Sequence, residues 1–404
     1  MMSEKNKMNS NNAHVENVST KMKLKSFLNQ YSMYIFLAVI ALVFQILTNG
    51  ILMKPLNITN LILQNAYILV LAVGMLILIV LGHIDLSVGS VAGFVGAVSA
   101  IMMVKYNINP IITIIVSLLI GAAVGAFQGF WIAYVKVPAF IATLAGMLLF
   151  KGLMIVVTGG KTIGPFPEIF QHISSGYIPD LFNGSGIHLF TLFIAAVALI
   201  LFIVIKLRNR KKQIQLGVNV DKMSLFILKT ALVIIAVGGF MFILASYRGI
   251  PNILLVLGVI IAFYHFMTTK TTIGRHVYAV GGNEKAAALS GINTKKTTLL
   301  MFINMGVIAA IGGIIFAARL NSATATAGDG FELDAIAACY IGGASAYGGE
   351  GTVLGAIVGG LVMGLLNNGM SLMGVGIDWQ QAIKGLVLLL VVAFDIYSKS
   401  KTTK

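Results

Sequence analysis

Charge is scarce in this sequence: 10% of its 404 residues are Asp, Glu, Lys or Arg, against about 25% in an ordinary soluble domain. Too little charge is present to coat a water-facing surface, and a 58% hydrophobic content with mean hydropathy of +0.94 excludes a soluble globular protein. Acidic groups are scarcer still, 13 against 28 Lys and Arg, for a net charge of +15. That excess does not point to nucleic acid, because the cations sit in short patches between apolar runs, as in the loops of membrane proteins. Cys339 is the only cysteine, so neither an internal disulfide nor a Cys-based metal site is available. The six histidines, at 14, 83, 172, 188, 265 and 276, show no HExxH or other paired spacing, and no metal or cofactor is implied. The longest polar stretches are under about 35 residues, too short for an ATPase or a folded binding domain.

What remains is a series of apolar runs, most long enough to cross a hydrocarbon core about 30 Å thick. They lie at about 31–48, 59–82, 86–104, 111–134, 139–157, 187–205, 223–245, 253–269, 297–318, 352–373 and 380–398. The chain therefore reads as all-α, a polytopic transmembrane bundle over 31–398 in the cell membrane. The segment before it, 1–30, is polar and basic (Lys5, Lys7, Lys21, Lys23, Lys25) and lacks a signal-peptide cleavage pattern after the first run. Loops 206–222 and 270–296 are basic, while 158–186 and 319–334 are neutral to acidic. The positive-inside rule then places both basic loops, the N-terminal tail and the basic tail at 399–404 in the cytoplasm. With both termini on one side, the weak run 335–347 has to cross or nearly cross, giving about twelve segments with one discontinuous. Broken backbone at that depth is tolerated inside protein or beside a water-lined cavity. The alternative is an external tail with 335–347 as a surface loop.

Three stretches could carry function. In the first, Leu81 to Ser90, Asp85 either caps the following helix or faces a polar path, and Ser87 and Ser90 could bond back to helix carbonyls. In the second, Asn283 is a good N-cap, Glu284 suits the positive helix end, the alanines favour helix and Gly291 suits a left-handed C-cap. That short helix either seats in a partner's groove or packs under the bundle. The third runs from Gly342-Gly343 to Gly348-Gly349-Glu350-Gly351. Its glycines lack a following Gly-Lys-Ser/Thr, which argues against phosphate binding and for an unwound segment. The glycine series 89, 93, 96 and 355, 359 or 360, 364 reads as close helix packing. Uncharged amides (Gln64, Asn65, Asn304, Asn367, Asn368) interrupt the runs. No Asp or Glu is expected near the centre of a span, and Lys151 is the main charged intruder. That pattern argues against a proton- or sodium-coupled carrier and for neutral cargo moved by an outside motor. Asp329, Glu332 and Asp334 form the only acidic cluster a membrane enzyme could use.

The run Ile84-Asp85-Leu86-Ser87-Val88-Gly89-Ser90 resembles the signature of the ribose/xylose-type permeases of ATP-binding-cassette importers. Gly281-Gly282-Asn283-Glu284 with Leu289-Ser290-Gly291-Ile292 resembles that family's cytoplasmic coupling segment. A third match runs from Phe331 to Ala338 and on to Leu366-Asn367-Asn368-Gly369. Two features depart from the ribose type. His83 stands where a second glycine is usual, which would restrict the backbone, and 165–250 is an added block with two spans, as in the xylose type. The resemblance implies a homodimeric, non-enzymatic permease in a prokaryotic cell membrane. It would receive sugar, D-xylose, from an extracytoplasmic binding protein and seat a cytoplasmic ATPase. On that resemblance Asn283, Glu284, Ala286, Ala287 and Gly291 contact the ATPase, and Asp85, Ser87, Asn367 and Asn368 lie near the translocation path.

Overall fold

The computed structural model describes residues 33–402 except 183, 185, 219 and 221; the basic tail expected at 1–30 lies outside the described residues. Fifteen helices follow one another: α1 (Met33–Leu47), α2 (Pro55–Val80), α3 (Val88–Ala100), α4 (Pro110–Ala133), α5 (Ala139–Thr158), α6 (Glu168–Ser175), α7 (Leu189–Gln215), α8 (Met223–Ala245), α9 (Asn252–Lys270), α10 (Thr272–Gly282), α11 (Glu284–Leu289), α12 (Thr294–Leu320), α13 (Phe331–Ile341), α14 (Val353–Leu372) and α15 (Ile377–Thr402). A wider turn at Ile101–Lys105 extends α3. Among the described residues, nine helices are long and apolar enough to cross a membrane. With α1, the short α13 and α15 they make twelve segments, as the apolar runs predict.

Two boundaries differ from the hydropathy reading. The stretch 206–215, expected as loop, continues α7 as helix, because its Lys, Arg and Gln side chains are good helix formers that reach water from a helical backbone. Likewise α15 runs on through Thr402 instead of ending at 398.

The long helices α2 and α12 form the central axis. They run antiparallel: Leu71 packs on Gly312, and Ile308 and Met305 pack on Gly74. Each is followed by a break and a short helix, and each short helix packs parallel to the other long one. Thus Ala92 of α3 lies on Gly313 of α12, and Cys339 of α13 donates its S–H to the Ala72 carbonyl of α2 at 3.2 Å. The next helices pair the same way. α4 lies antiparallel to α12 through Gly121, Gly125 and Gly129, and α14 lies antiparallel to α2 through Gly360 and Gly364. Without a Cβ, Gly121 and Gly125 bring the α4 backbone onto that of α12, and Gly360 and Gly364 admit the Leu69 and Asn65 side chains of α2, which is how helices gain packing where lipid supplies no hydrophobic drive. The order α2–α5 is therefore repeated, inverted, by α12–α15, the arrangement common in membrane transporters.

The remaining helices are peripheral. α7 and α8 pack chiefly on each other, and 11% and 6% of their apolar stretches are buried, against 89% for α2. The expected added block 165–250 is not uniform, however. α6 is drawn into the body, with Phe170 and Phe166 in a cluster with Met154 and Ala317. Asp180 accepts hydrogen bonds from the N–H groups of Phe182, Gly184, Leu189 and Phe190, which fixes the entry to α7. The side away from the basic stretches is knit by two isolated bridges, Ile163 with Ala323 and Tyr177 with Pro251.

Candidate functional site

The first break follows Val80. Gly82 takes a left-handed φ of +88°, after which residues 83–87 are not helical. An extended stretch of this length reaches up to roughly 17 Å, and it carries the chain into the bundle before α3 starts. His83 has no positive φ, so the glycine missing from the usual signature is not required by the backbone here. Asp85 is buried and its Oδ1 accepts from the Ser87 N–H at 2.8 Å and from the Ser87 hydroxyl at 2.6 Å. Gln128 of α4 donates to the same hydroxyl oxygen at 2.7 Å, and Thr143 of α5 lies 3.4 Å from the Ile84 carbonyl. The carboxylate therefore bonds the N-cap residue itself and not the N–H groups of the first helical turn. Nor does Ser87 bond back to a helix carbonyl; its proton goes to Asp85.

The second break precedes and follows α13. Tyr67, at the midpoint of α2, packs against Phe331 with ring centroids 4.1 Å apart, so α13 begins at mid-depth. The run 335–347 is accordingly a half-helix that ends at Ile341 and continues as a turn-rich loop. On the first turn of α13, Asp334 is 3% exposed and faces Lys384 of α15, with Nζ at 3.0 Å from Oδ1 and 3.1 Å from Oδ2. Asn367 of α14 lies against the same carboxylate. The expectation that no acidic group sits near the centre of a span is overturned: the chain holds a carboxylate there and supplies its counter-charge from a helix fifty residues on. In the stretch just before α13, Asp329 pairs with Lys151 of α5 at 2.9 Å.

The four residues expected near a path thus fall into three clusters. Asp85 and Ser87 stay together, Asn367 joins Asp334 and Lys384, and Asn368 exchanges two amide hydrogen bonds with Asn57 of α2, at 2.9 and 3.1 Å. That last pair clamps α14 to α2. Gln128, Lys384 and Asn57 escaped the sequence reading, although each is a polar residue interrupting or opening an apolar run, the signal that could have found them.

Both breaks meet at α10. A methyl group on Gly281 would fall on the Val80 carbonyl, the last turn before the first break. The same carbonyl accepts from the Gly349 N–H at 2.8 Å, and Tyr278 donates to the Gly351 carbonyl at 2.6 Å, both in the loop after α13. From α10 the chain enters α11, where Asn283 accepts from the Ala286 N–H at 2.9 Å and Gly291 closes the helix at φ +86°. Asn283, Glu284, Ala286 and Gly291 are exposed, and Leu289 is 91% exposed. Ala287 is not: it is buried in the core, so it fastens α11 to the body and offers nothing to a partner. Glu284 bonds Lys136 of the α4–α5 turn at 3.2 Å. Partial burial raises the Glu284 carboxyl, but the Lys136 hydrogen bond and charge, with a further bond from Thr294, outweigh it and hold the group below the ordinary glutamate range.

An inverted pair of helix bundles, polar residues at two interior helix starts, and one exposed helical segment keyed to both define a membrane permease. Residues 57–392 match the family described as Branched-chain amino acid transport system / permease component, and the chain belongs to that family. It is 42% identical over 380 residues to the Xylose transport system permease protein XylH of Haemophilus influenzae, covering 94% of this chain and 99% of the relative. To XylH of Escherichia coli K12 it is 41% identical, covering 94% and 95%. To the Ribose import permease protein RbsC of the same strain it is 33% identical over 370 residues, covering 91% and 94%. No solved structure matches the chain.

Proposed function

We propose that this chain is the membrane-spanning subunit of an ATP-binding-cassette importer for a monosaccharide, D-xylose, in a prokaryotic cell membrane. The cargo reading rests on the similarity to xylose permeases along nearly the whole chain. In this reading two copies of the chain, each with its transmembrane domain at 31–398 and both termini cytoplasmic, receive sugar from an extracytoplasmic binding protein. A cytoplasmic ATPase docks on the 270–296 segment. The observation that carries the coupling is the seating of α10 on both breaks at once, through Gly281 on Val80 and Tyr278 on Gly351. A displacement of α10 and α11 by a partner reaches Asp85 through the end of α2 and Asp334 through the 342–352 loop. Asn283, Glu284, Ala286 and Gly291, with Leu289, form the contact face; Asp85, Ser87 and Asn367 lie closest to the moving path, while Asn368 acts as a clamp. The inserted helices of 165–250 take no part in this route.

The experiment is uptake of labelled xylose by proteoliposomes holding this chain with and without its cassette ATPase and binding protein. Uptake should need both partners and ATP and survive collapse of the proton gradient. Glu284→Arg should abolish ATPase co-purification, while removal of the Asp329, Glu332 and Asp334 carboxylates should leave it intact. One observation favours a rival reading, an ion- or proton-coupled carrier: the Asp334–Lys384 pair is the kind of buried titratable group such carriers use. Uptake by the chain alone, lost with an uncoupler, would establish that rival.

A further inference from the structure

A cleft beside the inserted helices is lined by no residue of either break. It has a volume of about 710 Å³ and opens between α1, α7 and α8 at the end of the bundle bearing the basic stretches. That volume is in the range of small-molecule sites, about 300–1,000 Å³. Its walls divide by chemistry. The α7 wall carries Phe202, then Lys206, Asn209, Arg210 and Gln213. These positions recur at the spacing of one helix face, so an apolar face turns polar and cationic where it leaves the hydrocarbon. The opposite wall, from α8, is mainly apolar (Leu225, Phe226, Leu228, Leu232, Val233) and adds Lys229 and Thr230, and Ile35 of α1 closes the end. Arg210 stands over the Phe226 ring at 4.8 Å and Lys206 over Phe202 at 5.6 Å. No Asp or Glu is among the described lining residues.

We propose that this cleft binds an anionic glycerophospholipid, its phosphate held by Lys206 and Arg210 and its acyl chains lying along the α8 wall. Four observations select that occupant. α7 and α8 are the least buried of the nine helices long and apolar enough to cross a membrane, so the cleft opens sideways into lipid. Basic clefts between transmembrane helices at the cytoplasmic surface attract anionic lipid head groups. The apolar and cationic surfaces follow each other along one helix face in the order of a phospholipid's tail and head. The chain's own residues 1–30 are a poor occupant, since they carry five lysines against two glutamates. The inserted pair α7–α8 then has a task of its own, holding the permease to a shell of anionic lipid. This inference does not depend on the cargo or on the ATPase.

The test is native mass spectrometry of the purified full-length protein, delipidated and titrated with phosphatidylglycerol or phosphatidylcholine. A photoactivatable phosphatidylglycerol maps the site in parallel. Phosphatidylglycerol should bind more tightly, and its cross-links should fall within 202–233. A Lys206→Gln/Arg210→Gln variant should lose about five- to thirty-fold in phosphatidylglycerol affinity with phosphatidylcholine unchanged. Lys211→Gln/Lys212→Gln removes the same charge off the lining and should leave affinity near wild type. Equal binding of the two lipids, equal loss in both double variants, or an unchanged Lys206→Gln/Arg210→Gln variant would overturn the proposal. So would cross-links lying elsewhere, displacement of the lipid by millimolar inorganic phosphate, or cross-linking of residues 1–30 into the cleft.

Discussion

At the first break Asp85 bonds its neighbour Ser87 and, through that hydroxyl, the neutral amide of Gln128. At the second, Asp334 faces the ammonium of Lys384, and the two meet only after α14 and about two turns of α15 have been placed. The inverted repeat gives both halves the same geometry, a short helix starting inside protein, yet the two carboxylates are satisfied in different ways. The first arrangement is mostly local and holds itself in shape. The second depends on the packing of α13, α14 and α15, so it reports whether that half is assembled. Desolvated charge is expensive without its partner and nearly neutral with it, which makes the second break the more fragile of the two.

Four substitutions test this difference, in falling order of effect. Gly281→Val strikes both breaks together, because any Cβ there collides with the Val80 carbonyl. It should destabilise the protein by more than about 4 kcal/mol and remove it from the membrane fraction on immunoblots. Gly282→Ala, with open space around it, should accumulate normally. Asp334→Ala strands the Lys384 ammonium and should cost about 3 kcal/mol, the lower end for a buried pair because Lys384 is 21% exposed. Asp334→Leu/Lys384→Met should restore most of the loss in detergent thermal unfolding. Ser87→Ala removes one partner each from Asp85 and Gln128 and should cost about 1–3 kcal/mol. If it proves as harmful as Asp334→Ala, the contrast between a local and an assembled break fails. Glu284→Gln, at a surface bridge, should change stability by less than about 1 kcal/mol. Its carboxyl lies below the ordinary glutamate range when folded, so its contribution is full above about pH 4.3 and fades as pH falls through the lowered value. A thermal shift that instead grows as pH falls through that window would contradict the Lys136 contact.

The spans were legible because lipid leaves a plain mark: long apolar runs, ended by Pro, Asn and basic residues. So was α11, where Asn283 and Gly291 write the start and stop into adjacent positions. The end of α7 was not, since Lys206 to Gln215 reads as loop by hydropathy while its side chains favour helix. Lys384 was passed over for a related reason. A single lysine within 380–398 barely lowers the mean hydropathy, and its partner lies fifty residues away at the edge of an acidic loop. The burial of Ala287 could not be read either, because an alanine among alanines has no face until the helix is docked.

Cys339 lies wholly within the bundle with its S–H on the Ala72 carbonyl. For anyone wishing to follow this molecule with dyes or spin labels, the native chain is already a blank background. A cysteine introduced at Leu289, 91% exposed on α11, would be the one thiol that a polar maleimide reaches. The movement of that helix could then be watched without first removing a residue that the core of the protein uses.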